Sequence, residues 1–117
     1  MNPKRSGFVY LIRAGRGNLY KIGVAIDPTR RLAQLQTGSP HRLSLVAAKR
    51  YRDPYQREST LHRQYRAYRV RDDGEWFRLP FWVAWEVKRE IAGTIGVWTW
   101  LGLIALCLLF YLLWLLR

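Results

Sequence analysis

The chain of 117 residues has one cysteine, one methionine and only eight acidic residues. A lone thiol, Cys107, excludes an intramolecular disulfide and any zinc site built from several cysteines. The scarcity of acids against 20 Lys and Arg leaves a formal charge of +12, which points to polyanionic partners. A secretory signal is not expected either. The opening MNPKRSGFVYLIR carries charge but neither the apolar run nor the small-residue cleavage site of such a peptide. No internal repeat or low-complexity segment occurs.

Charge of either sign is absent between Glu90 and Arg117. As one helix, the 26 residues Ile91 to Leu116 would measure about 39 Å, more than the ~30 Å hydrocarbon core of a bilayer. This predicts a transmembrane helix over 93–116, entered through a juxtamembrane helix over 81–92. Trp98 and Trp100 near one end, and Tyr111 and Trp114 near the other, suit the two interfacial belts. Nearly all Lys and Arg precede the run, so the positive-inside bias predicts a single-pass, tail-anchored protein whose N-terminal domain faces the cytoplasm. Membrane lipid is then an expected partner, each basic residue near an anionic surface contributing about 1 kcal/mol.

Residues 1 to 90 carry 19 of the 20 Lys and Arg and all eight acids, a formal +11 on the length of one small domain. After an N-terminal tail over 1–6, GFVYLIR and LYKIGVA read as two strands joined by the glycine-bearing turn AGRGN. Asp27-Pro28 supplies an N-cap and a first-turn proline for a short helix ending at Thr37-Gly38. LSLVAAKRY, residues 43 to 51, reads as a third strand. Asp53-Pro54 repeats the cap signal for a helix to about Tyr68, with Leu61, Tyr65 and Tyr68 as its buried stripe. A turn at Asp72-Asp73-Gly74, a short edge segment Glu75-Trp76-Phe77 and a last helix follow. The order describes an α+β domain with a mainly antiparallel sheet.

Tyr10 and Lys21 lie on consecutive strands and Arg31 at the start of the first helix. A phenol that can relay a proton, beside two cations, has the components needed to activate water against a phosphodiester and stabilise the charge that develops. Singly, Tyr10 also suits a half-buried strand position and Lys21 a solvated edge. Glu58 shares a helix stripe with Leu61 and Tyr65, so its carboxylate needs a partner. A neighbouring surface cation on the Arg57 side would serve, and so would a hard divalent ion such as Mg²⁺. His62, one turn on, suits a supporting role.

Val9-Tyr10, Lys21-Ile22-Gly23 eleven residues after the tyrosine, Arg31 eight after the glycine, and then Glu58 together resemble the GIY-YIG endonuclease superfamily. GFVYLI, the stretch from LYKIGVA to QLQTGSP, and GEWF are most similar to its branch named after a phage T5 open reading frame and a meiotically up-regulated gene. The resemblance covers residues 7–80. It implies a three-stranded antiparallel sheet flanked by helices, and hydrolysis of nucleic-acid phosphodiesters with one divalent metal, Mg²⁺ or Mn²⁺. By position, Tyr10 is the general base or water-positioning group, Arg31 the phosphate-stabilising arginine, Glu58 the metal ligand, and Gly23 the motif glycine.

Lys21 stands where the second motif has a tyrosine, as in some members of the superfamily. Tyr20, one residue earlier, is a supporting candidate that faces the other side of a regular strand. Phe8-Val9 replaces the first motif's Gly-Ile, and Leu35 occupies a place where relatives have His or Tyr. Arg30 and the row Arg63, Arg66 and Arg69 are the candidate nucleic-acid contacts, with DNA ahead of RNA. The expectation is therefore a membrane-anchored, metal-dependent endonuclease. Its alternative is a catalytically inactive nucleic-acid-binding membrane tether, motivated by Lys21.

Overall fold

The computed structural model describes residues 6–71, 74–93 and 97–117, the last group with side chains from Trp100 onward. Most of the 1–6 tail, the Asp72-Asp73 turn and the interfacial placing of Trp98 lie outside the described residues. The elements run β1 (Gly7–Ala14), β2 (Leu19–Ala25), α1 (Pro28–Thr37), β3 (Leu43–Tyr51), α2 (Pro54–Gln64), a 3₁₀ turn (Arg66–Tyr68), β4 (Trp76–Arg78), α3 (Phe81–Ala92) and α4 (Val97–Leu115).

The sheet is antiparallel in the order β3-β1-β2-β4. It has four strands where three were expected, because Trp76–Arg78 pairs with Leu19–Lys21 of β2. β1 and β2 are joined through a turn in which Gly15 takes φ +63, a conformation open to glycine without steric cost. Alternation of side chains divides the core between the two faces of the sheet. Tyr10, Ile12, Ala14 and Leu43 pack with Leu32 and Leu35 of α1 on one face. Val9, Leu11, Tyr20, Ile22 and Phe77 pack with Leu61 and Tyr65, and with Val83, Ala84, Val87 and Ile91 of α3, on the other.

Both helix starts read from Asp-Pro pairs are formed as expected. The carboxylates of Asp27 and Asp53 accept from the backbone N–H of Arg30 and Gln56, each at 3.2 Å, and a proline follows each cap. α2 ends earlier than the apolar stripe implied. Tyr65 is its C-cap and the chain tightens into the 3₁₀ turn, leaving Tyr68 on the surface. The C-terminal carbonyls of α3 are satisfied from β3 and α2: Tyr51 Oη donates to Ile91 O at 2.8 Å, and Arg57 donates to Glu90 O at 2.9 Å.

The uncharged run is not one continuous span. Ile91 is fully buried as part of α3, and Gly93, at φ +78, closes that helix. The apolar helix α4 begins only at Val97 and holds 19 residues, about 28 Å at 1.5 Å per residue, against a hydrocarbon core of ~30 Å. Among the described residues no helix is long and apolar enough to cross a membrane. That finding overturns the predicted transmembrane helix over 93–116 and with it the single-pass, tail-anchored localisation, and leaves the expected lipid partner without support. Among the described residues the architecture is α+β, with a four-stranded sheet and four α-helices.

Candidate active site

The register of β1 on β2 sets Tyr10 opposite Gly23 and Ile12 opposite Lys21, so Tyr10, Lys21 and Gly23 share the α1 face of the sheet. Tyr10 is 1% exposed, and its phenol lies over Gly23. A Cβ there would stand 2.6 Å from Tyr10 Cζ and closer still to its Oη. Gly23 does not have a positive φ, so close approach, not backbone conformation, requires glycine at this position. The Arg31 guanidinium on α1 favours the ionised phenol. Burial nevertheless pushes the Tyr10 pKa up, outweighing Arg31, and the charges of Glu75 and Glu58 act in the same direction. Tyr10 therefore holds its proton at neutral pH.

β4 covers β2 only as far as Lys21. Beyond it the edge of β2 is met by α2. His62 Nε2–H donates to the carbonyl of Ile22 at 3.0 Å, which fixes the tautomer, and the ring stands edge-on to Phe77 at 5.0 Å. The same nitrogen lies 3.6 Å from Glu58 Oε1. His62 thus joins the helix bearing Glu58 to the strand bearing the Lys21-Ile22-Gly23 motif. Arg57, the neighbouring cation on α2, turns to Glu90, at 3.0 Å. Burial raises the Glu58 pKa, with Glu75 adding to the effect and His62 and Lys21 opposing it.

Glu58 and His62 also line an open cleft of about 420 Å³ together with Tyr55, Ser59, Arg63, Arg66 and Arg69. Three of the four arginines proposed from the sequence therefore line the same cleft as Glu58. Arg63 and Arg66 are exposed. Arg69 is also tied into the fold, donating to His62 O at 3.4 Å and lying over the Phe77 ring. Arg30 is exposed on α1, which packs on the opposite face of the sheet from α2. Tyr20 does not reach the site: it is buried on the α2–α3 face, as its place next to Lys21 on a regular strand requires.

One residue of the site was not singled out from the sequence. Glu75 accepts an ion-paired hydrogen bond from Lys21 Nζ, and its field reaches both Tyr10 and Glu58. The available signal was its position as an acid in a +11 domain, beside the short segment that becomes β4.

Among the described residues no group of three or more His, Cys, Asp or Glu forms a metal cage. Among the described residues Glu58 is the carboxylate in the cleft lining. A single carboxylate suits Mg²⁺, which keeps several waters and completes its shell with substrate phosphate oxygens. A cation there would also offset the burial that raises Glu58.

A model of the T5orf172 domain matches residues 7–98. Searches of curated proteins and of solved structures find no match.

Proposed function

Because the chain belongs to the T5orf172 domain family, a nuclease-like, nucleic-acid-binding class, we propose that it is a metal-dependent endonuclease acting on DNA. What supports this reading is that Tyr10, Lys21 and Gly23 share one face of the sheet, that Arg31 and Glu58 both act electrostatically on Tyr10 and Lys21 acts on Glu58, and that Glu58 lines an arginine-bearing cleft. In a domain of such positive charge, phosphate contacts supply most of the affinity and make it fall with salt.

Glu58 would hold Mg²⁺ or Mn²⁺. When bound, such an ion polarises a phosphoryl oxygen and neutralises charge in the transition state. Arg31 and Lys21 are the fixed cations for the negative charge that develops on the phosphate. Tyr10, protonated and packed over Gly23, acts through its hydroxyl by orienting the attacking water. His62 keeps Glu58 in place through Ile22 O. Gly23 gives Tyr10 the room it occupies.

Lys21 in place of the second motif tyrosine favours one other reading, a domain that binds nucleic acid without cutting it. Incubation of the purified full chain with single-stranded and duplex DNA and with RNA, in Mg²⁺, Mn²⁺ or EDTA, separates the two. Metal-dependent cleavage of DNA is expected. Binding without cleavage of any substrate would leave the binding-only reading standing and sink the nuclease.

A further inference from the structure

Lys21 is a charged residue 7% exposed within a sheet. An ammonium taken out of water needs a carboxylate and good hydrogen-bond geometry to be tolerated, and here Glu75 provides them. Trp76, opposite Lys21 in the β2–β4 register, offers its ring face to Nζ at 5.6 Å. Ile22 N–H donates to Glu75 O at 3.3 Å, so Glu75 is tied to the motif strand by its backbone as well as by its side chain. These contacts leave Lys21 a narrow choice of position, on the face that also carries Tyr10 and Gly23.

We infer that Glu75 is a positioning residue for the nuclease chemistry: it allows a lysine to replace the motif tyrosine, by fixing the Lys21 ammonium on the Tyr10 side of the sheet. The inference rests on the nuclease reading and adds to it the partner that the substitution requires. A tyrosine at position 21 would carry no charge to be held, whereas a lysine there without Glu75 would be a buried, unpaired cation. Glu75 is itself 47% exposed at its side chain, so it is not sealed into the core, and its carboxylate stands where its charge is felt by both Tyr10 and Glu58. Replacement by glutamine keeps the shape but gives up the charge-assisted hydrogen bond.

The test is a mutant cycle in the full chain, read by single-turnover DNA cleavage, with thermal melting to confirm folding. E75Q should lower the rate on the order of tenfold to a hundredfold with the KM for DNA unchanged, and E75D should recover most of the loss. In the K21Y background, E75Q should cost nothing further, since the group it positions is gone. Equal losses in both backgrounds, or full activity of E75Q, would overturn the inference. A second readout does not depend on cleavage: the ¹⁵N signal of the Lys21 ammonium, protected by its ion pair, should vanish in E75Q. If the wild-type chain cuts nothing, the nuclease reading fails by itself. An ammonium signal unchanged in E75Q would then show that Glu75 does not hold Lys21.

Discussion

The phenol of Tyr10 occupies the volume that a side chain at position 23 would fill, with Gly23 directly beneath its ring and hydroxyl. The two are register partners on β1 and β2, so neither strand can shift to make room without breaking the pairing. Gly23→Ala must push Tyr10 away from Arg31. Overpacking of this kind costs about 1–3 kcal/mol, and a displacement of about 1 Å at a reacting group can cost about a hundredfold in rate. Melting curves and single-turnover cleavage should show a folded, modestly destabilised protein with that loss of activity.

Glu58 is held at a cost to the fold. Its pKa is raised, chiefly by burial, so its contribution to stability is present below the unfolded pKa and is lost as pH rises through the folded one. At neutral pH the carboxylate is therefore a destabilising charge. Without added metal, Glu58→Gln should raise Tm by a few degrees at pH 7, and its advantage over wild type should shrink toward pH 4. Paired melting series at the two pH values check this.

Tyr65 sets an alkaline limit. It is buried between α2 and α3, and its pKa is pushed up to about 12 by burial and by the neighbouring carboxylates of Glu86 and Glu90. In the unfolded chain the phenol ionises near its ordinary value, so above pH 10 the folded state holds a proton that the unfolded state has released. Stability should fall as pH rises from about 10 toward 12. Tyr65→Phe should flatten that fall, which urea titrations across the range would reveal.

The cleft arginines should behave as phosphate contacts. Arg63→Ala and Arg66→Ala are each expected to weaken DNA binding across all sequences, and to reduce the slope of log affinity against log salt by about one. Arg30→Ala, on the far helix, should change the slope less. Fluorescence anisotropy at several salt concentrations gives the comparison.

Much of this architecture was legible because its signals are local. Asp27-Pro28 and Asp53-Pro54 mark helix starts by cap chemistry, and both caps form. The alternation of β2 alone places Lys21 and Tyr20 on opposite faces. The remainder depended on tertiary facts. β4 is three residues long; the sequence marked Glu75-Trp76-Phe77 as a short edge segment, but its pairing with β2 and the Lys21–Glu75 pair depend on the free edge that the tertiary fold leaves. The run after Glu90 looked continuous because composition records charge and not backbone angle. Only the positive φ of Gly93 and the burial of Ile91 in the domain core show where α3 stops. Arg63, Arg66 and Arg69 line one cleft, but α2 ends at Gln64 and Arg66 lies in the 3₁₀ turn, so it is the tightened chain and not helical spacing that brings them there.

The central claim is that Glu58 serves the chemistry and not the fold or the affinity, and one pair of measurements on Glu58→Ala addresses it most directly. Single-turnover DNA cleavage in Mg²⁺ should disappear while the Kd for the same DNA stays within about twofold, because the arginines that supply the phosphate contacts are untouched. Cleavage by Glu58→Ala at the wild-type rate would contradict the account.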